Sequence, residues 1–166
     1  MKTITAVLVL FTSVFSFAGY SQVVCGTPIP DAQWTQARPF VGALAQRTYA
    51  WVFVQRKDDI RAEQELTKVV AAEANQPLFS YFLGSSQFNQ RAKNLEKVPQ
   101  AIFNIARASE YDGQGALPAA QRTQFRTSVT SIYKQYHGSD EGFAEVLAAA
   151  RAGAVPPSGF KIKSIT

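Results

Sequence analysis

Cysteine and histidine are almost absent from the 166 residues: there is one of each, Cys25 and His137. A single thiol excludes an intramolecular disulfide, so no cystine framework holds this chain and its core must stand on packing. The same scarcity removes the usual zinc ligand sets, and none of their spacings occurs. Ser139 lies two residues from His137, too close in sequence for a serine–histidine–aspartate arrangement, which is assembled from separate elements. Gly113-x-Gly115 is neither a phosphate loop nor a dinucleotide fingerprint, because no strand precedes it and the third glycine and the lysine are missing. Charge is also sparse, with 17 Lys+Arg against 12 Asp+Glu and a net charge of +5. The basic residues scatter from Arg38 to Lys163 without the patch that nucleic acid requires. The residues therefore point to no catalytic group, no cofactor, no metal and no nucleic-acid partner.

What the chain does have begins at its N-terminus. One positive charge, Lys2, precedes an uncharged run over residues 4–17 dominated by Val, Leu, Ile and Phe. That run is shorter than the roughly 20 apolar residues a membrane-spanning helix needs. Small residues follow at the spacing a signal peptidase requires, Ser16 with Ala18 or Gly19 with Ser21. Residues 1–21 are expected to be a secretory signal, cleaved between Ala18 and Ser21. Lipid attachment at Cys25 is disfavoured because Val23 and Val24, not a small residue, precede it. Cleavage removes Lys2 and leaves a net charge of about +4, with no membrane span, in a chain bound for the periplasm or the exterior.

Residues 22–37 form a Pro- and Gly-bearing tether, with a short turn capped by Asp31 running through Trp34. A helical domain is expected over residues 38–155 and an extended tail over 156–166. Pro39 fits the first turn of a helix, after which Phe40, Val41, Leu44, Ala45, Thr48, Trp51, Val52 and Val54 make a broad apolar face. Tyr49 to Val54 also has strand character. Asp58 and Asp59 cap a helix with Ile60, Leu66, Val69 and Val70 inward. Pro77 opens a helix carrying Leu78, Phe79, Phe82 and Leu83, and Arg91 to Lys97 is a loop. Pro99 opens the next helix, with Ala101, Ile102, Ile105 and Ala108 on one side. Phe125, Val129, Ile132, Tyr133 and Tyr136 form the clearest 3.6-residue stripe. Ser139, Asp140 and Glu141 then cap a last helix with Phe143, Val146, Leu147 and Ala150 inward. The expected fold is all-α, three consecutive helical hairpins followed by a tail whose Phe160 and Ile162 point the same way into a groove between helices.

Phe82-Leu83-Gly84 in one helix and Ala101-x3-Ile105-x2-Ala108 in the next resemble the tetratricopeptide repeat. The resemblance covers Asp59 to about Gly113 and implies a short stack in which Gly and Ala let antiparallel helices approach closely. Phe88 stands one residue later than the repeat's aromatic, and Gly113 takes the place of its closing proline. The segments Tyr136 to Gly142 and Pro156 to Phe160 are similar to the closing segment of exported bacterial proteins with such repeats, which implies a cap on the stack.

Tyr81, Phe88, Phe103 and Tyr111 are the aromatics least accounted for by inward stripes, and together they are a candidate binding face. His137 is expected to meet the last carbonyls of its helix. The acidic group Asp58, Asp59, Glu63 and Glu65 reads as helix capping, not as carboxylates on opposite walls of a cleft. The expected function is a non-catalytic module that holds a protein or peptide of the cell envelope. The alternatives are a small-ligand carrier or an enzyme whose site the sequence does not display, and an envelope component joined through a Cys25 intermolecular disulfide.

Overall fold

The computed structural model describes residues 29–165, so the expected signal segment over residues 1–21 and Cys25 lie outside the described residues. Six α-helices are present and there is no strand among the described residues. They are α1 (Asp31–Gln55), α2 (Asp59–Ala72), α3 (Pro77–Asn89), α4 (Val98–Glu110), α5 (Ala119–His137) and α6 (Phe143–Ala152), with a 3₁₀ turn at Leu95–Lys97. The chain divides into two compact units, Met1–Arg38 and Pro39–Thr166.

In the first unit, the opening of α1 is a regular helical turn. The Trp34 N–H donates to the Pro30 carbonyl at 3.0 Å, and the Thr35 hydroxyl donates to the Asp31 carbonyl at 2.8 Å. The expected short turn and fresh start at Pro39 are thereby corrected to one helix with Pro39 inside it. Ala32, Gln33, Gln36 and Ala37 are good helix formers, and no turn residue interrupts them.

In the second unit, Tyr49 to Val54 is helical, and Ala50 and Phe53 are buried. The side of α1 that packs carries Ala50, Phe53 and Val54, with Leu44 half-buried, and the rest of the broad apolar face lies away from it. Gln46 Nε2 donates to Glu65 Oε2 at 2.9 Å, and Arg47 Nε lies 3.6 Å from a Glu73 oxygen. Val41, Ala45, Thr48, Trp51 and Val52 remain exposed. Hydrogen bonds from Lys68 and Gln46 hold the Glu65 carboxyl below the usual carboxylate range. This stabilising contribution is present above the unfolded pKa and is lost as the pH falls through the lower folded value.

Asp58 caps α2, accepting from the Arg61 N–H at 3.2 Å, as its position predicts. Ala62, Leu66, Val69 and Val70 are buried, whereas Ile60, expected inward, is exposed. Ile60 precedes Ala62 by two residues, about 200° around the helix, and so faces away from that stripe.

The closest helix pairs are α2 with α3, α3 with α4, α4 with α5, and α4 with α6. Of the three expected hairpins, α3–α4 brings its backbones together. α1 meets α2, and α5 meets α6, chiefly through side chains. In the α3–α4 pair, Gln90 bonds Lys97 near one end, Gln87 bonds Asn104 further along, and Arg107 reaches Ala74 at the other end. That order makes the two helices antiparallel. A Cβ placed on Gly84 would lie 2.7 Å from Ile105 Cγ1 and 2.8 Å from the Ala101 carbonyl oxygen, so the absence of a side chain sets the interhelical spacing. The buried positions of α3 include Ser80, Gly84, Ser86 and Gln87; Phe79 and Phe82, expected inward, are half-buried at the edge of the α1–α3 cluster.

α4 is the centre of the fold. Every residue from Ala101 to Glu110 is buried, including Asn104, Arg107, Ser109 and Glu110. Its long polar side chains are met in part from neighbouring elements, with Asn104 Oδ1 and Arg107 Nε left without a hydrogen-bond partner among the described residues. Asn104 Nδ2 donates to Gln87 Oε1 at 2.9 Å. Glu110 takes Arg126 from α5 and Arg151 from α6, the latter at 2.9 Å. A second network joins α2, α3 and the 3₁₀ turn through Glu63, Gln87, Gln90 and Lys97. On α5, Phe125, Val129 and Tyr133 are buried with Ile132 and Tyr136 packed beside them, as the 3.6-residue stripe predicts.

Candidate groove at the C-terminal tail

The tail after α6 lies along the helices as an extended segment. Its alternation decides how it docks: Ile162 is buried, Phe160 is half-buried against the core, and Lys161 and Lys163 are exposed. Period-two alternation puts residues two apart on one side of an extended chain. The Phe160 ring meets Phe103 of α4 edge to face, with centroids 5.3 Å apart. Two hydrogen bonds to the tail backbone fix the register. His137 Nδ1 donates to the Lys163 carbonyl at 2.7 Å, and the Ile165 N–H donates to the Tyr136 carbonyl at 3.1 Å. A carbonyl only accepts, so the proton sits on Nδ1 of His137.

Gly138 makes this docking sterically feasible. It ends α5 at φ 90° with its N–H on the Lys134 carbonyl at 2.9 Å, a left-handed cap that favours glycine. A Cβ there would also collide with the Ile165 side chain. His137 thus closes α5 as expected, but its partner is the tail and not its own helix's last carbonyls.

Beside the tail an open groove of about 700 Å³ runs between it and α6, floored by Tyr133 and His137 and walled by Glu141, Glu145, Ala149 and Lys161. The Tyr133 hydroxyl donates to the Glu141 carbonyl at 2.5 Å. Burial first, then Glu145 and Glu141, push the Tyr133 phenol up from its ordinary value, so it stays protonated and donating. The groove offers the Glu141 and Glu145 carboxylates, the Lys161 and Lys163 ammonium groups, and apolar surface from Val146, Ala149 and Phe160. That combination can hold an extended backbone with mixed side chains.

A second hollow of about 650 Å³ is lined by Ile60, Glu63, Glu65, Lys68 and Lys97. Its charges pair among themselves, Glu63 with Lys97 and Glu65 with Lys68. Among the described residues no group of three or more His, Cys, Asp or Glu is placed to hold a metal ion.

Of the four aromatics expected to share an exposed face, one belongs to the core. Phe103 is fully buried. Tyr81 stacks on Phe125 with centroids 3.9 Å apart, and Phe88 lies under the Arg91 guanidinium at 4.1 Å. Tyr111 lies under Arg107 at 4.3 Å and donates its hydroxyl to the Gln114 carbonyl. Because α4 is buried on all sides, the side of it left to solvent in a two-sided reading is core, and Phe103 goes with it. The groove residues Glu145, Ala149 and Lys161 were not singled out by sequence, and the one signal near them is the Phe160–Ile162 alternation.

Replacing His137 by alanine is expected to loosen the tail without unfolding the helices. Loss of one hydrogen bond, about 1 kcal/mol, predicts about fivefold faster hydrogen exchange at the Ile165 amide, with the α4 amides unchanged. Comparisons with protein-family models, with curated proteins and with solved structures return no match to this chain.

Proposed function

We propose that the protein is an exported, non-catalytic module that holds an extended peptide segment of a cell-envelope protein in the groove between its C-terminal tail and α6. One observation carries the reading. The surface of α4, α5 and α6 already receives an extended chain, its own tail, through alternating apolar side chains and backbone hydrogen bonds. Peptide-binding surfaces use the same two devices, side-chain pockets and backbone contacts. The groove beside the tail continues that surface. The export expectation rests on the lone Lys2 and the uncharged residues 4–17. A tetratricopeptide-like relation between α3 and α4 is supported by the close approach at Gly84 to Ala101 and Ile105. Within that relation, α5, α6 and the tail serve as the cap.

The test places a photo-crosslinking residue at Glu145 and exposes cells to light. The expected result is one discrete protein adduct whose crosslinked residues map to an extended segment. Ala149→Trp, which fills the groove from an α6 position, is expected to remove the adduct while leaving the helical circular dichroism intact. No discrete adduct from Glu145, or one indifferent to Ala149→Trp, refutes the peptide-groove reading. A low-molecular-weight adduct in its place establishes the small-ligand carrier.

A further inference from the structure

Between Pro39 and Gln55, α1 carries one charged side chain, Arg47, and that side chain turns inward to Glu73. The opposite side is an apolar stripe. At about 100° per residue Val41, Ala45, Thr48 and Val52 fall on one line of the helix, and all four are exposed. Tyr49 and Trp51 flank the line and are 54% and 46% exposed. The Thr48 hydroxyl is taken by the Leu44 carbonyl at 2.9 Å, so the one polar atom on the line asks for no partner. Immediately beyond the helix stand Arg56 and Lys57, both exposed and paired with no carboxylate among the described residues.

We infer that this face of α1 docks on an anionic bilayer surface, lying in the interfacial plane. No helix among the described residues is long and apolar enough to cross a membrane, so the geometry is surface attachment. Three features select lipid over other occupants. Tyr and Trp place an apolar ring and a polar tip at the boundary between acyl chains and headgroups. The stripe is a convex helix face with no charged side chain to select a protein partner's residues, and its one hydroxyl proton, on Thr48, is already donated to Leu44. The adjoining Arg56 and Lys57 complement anionic headgroups, each worth about fivefold in binding. A second copy of the chain is the poorer occupant. Pro39 to Gln55 contains no carboxylate, so a paired α1 offers those two cations nothing.

The experiment uses the exported chain carrying Trp34→Phe, which leaves Trp51 as the single tryptophan. Vesicles of phosphatidylglycerol mixed with phosphatidylcholine are compared with vesicles of phosphatidylcholine alone. The expected result is a blue shift of Trp51 emission and co-flotation with the anionic vesicles, both reversed by salt. Arg56→Gln and Lys57→Gln are each expected to weaken binding about fivefold. Ala45→Glu, at an exposed helical position, is expected to abolish it with an unchanged urea midpoint. Unshifted Trp51 emission on anionic vesicles overturns the inference, even if the vesicles float with the protein. So does equal binding by the Ala45→Glu variant. A dimer in sedimentation that Ala45→Glu dissolves and that ignores vesicles assigns the face to a second copy instead.

Discussion

Substituting Arg107 by alanine is expected to remove about 3–4 kcal/mol of folding stability, the largest loss from any single side chain in the α4 core. Arg107 is 4% exposed, and its fork spans three elements. Nη1 donates to the Ala150 and Arg151 carbonyls at 3.0 and 2.7 Å, and Nη2 donates to the Ala74 carbonyl at 3.2 Å. The first two carbonyls belong to the last turn of α6, where no intrahelical donor remains for them. Their negative end of the helix dipole is met by a buried cation. The third follows α2. One residue of α4 therefore closes the end of α6 and ties it to the segment that follows α2. Burial pushes the Arg107 guanidinium below its ordinary value, with Tyr111 and Asp112 opposing the shift, and arginine stays charged throughout the accessible pH range. Alanine leaves the carbonyls without a donor and empties the space under the Tyr111 ring.

Two further substitutions separate these effects. Arg107→Met keeps most of the volume, so its deficit reports the hydrogen bonds, at about 2–3 kcal/mol. Arg151→Ala removes an exposed arm of the Glu110 pair and is expected to cost about 1 kcal/mol or less. Urea unfolding followed by circular dichroism checks all three. A loss below about 1 kcal/mol for Arg107→Ala would mean that water satisfies those carbonyls and that Arg107 does not hold α6 to the segment after α2.

The elements of the fold were legible because their signals are local. Asp58 as a cap, Pro77 near the first turn of its helix, and Phe125, Val129 and Tyr133 at 3.6-residue spacing each depend on a few neighbours in the chain. The tail's docking was legible for the same reason, through Phe160 and Ile162. The faces of α1 and α4 were not. A helix pattern shows that an apolar side exists, not which neighbour covers it. In α1, Gln46 and Arg47 find carboxylates on and just after α2, and these contacts turn the more apolar side outward. In α4, Arg107 and Glu110 look like solvent-facing residues in a window of sequence. Both are buried because carbonyls and guanidiniums from distant positions arrive to meet them. The groove was hidden likewise, since its walls come from α6 and from a tail that folds back past Gly138.

Gly84 was marked in the sequence, and its substitution is the second large effect expected. In Gly84→Val the Cβ alone must enter the 2.7–3.0 Å shell formed by Ile105 Cγ1, the Ala101 carbonyl oxygen and the Ile105 backbone nitrogen. Two of those three atoms are α4 backbone and cannot rotate away, so the helices must separate. Overpacking of this kind costs typically about 1–3 kcal/mol. Valine lies at the upper end because its branched carbons add to the clash and lose rotamer freedom in a helix. Gly84→Ala isolates the Cβ. Helix propensity favours alanine over glycine by about 1 kcal/mol, so its net loss should be at most about 2 kcal/mol, the clash outweighing the gain. Gly42 supplies the opposite sign. It lies within α1, and a Cβ added there would meet nothing within 4 Å, so Gly42→Ala should stabilise the chain by up to about 1 kcal/mol. If both alanine variants stabilise, α3 and α4 have room to spare at Gly84, and the close approach that supports a tetratricopeptide-like pair is lost. If the two move apart in urea midpoint, in the directions given, glycine at position 84 is there for contact and glycine at position 42 is not.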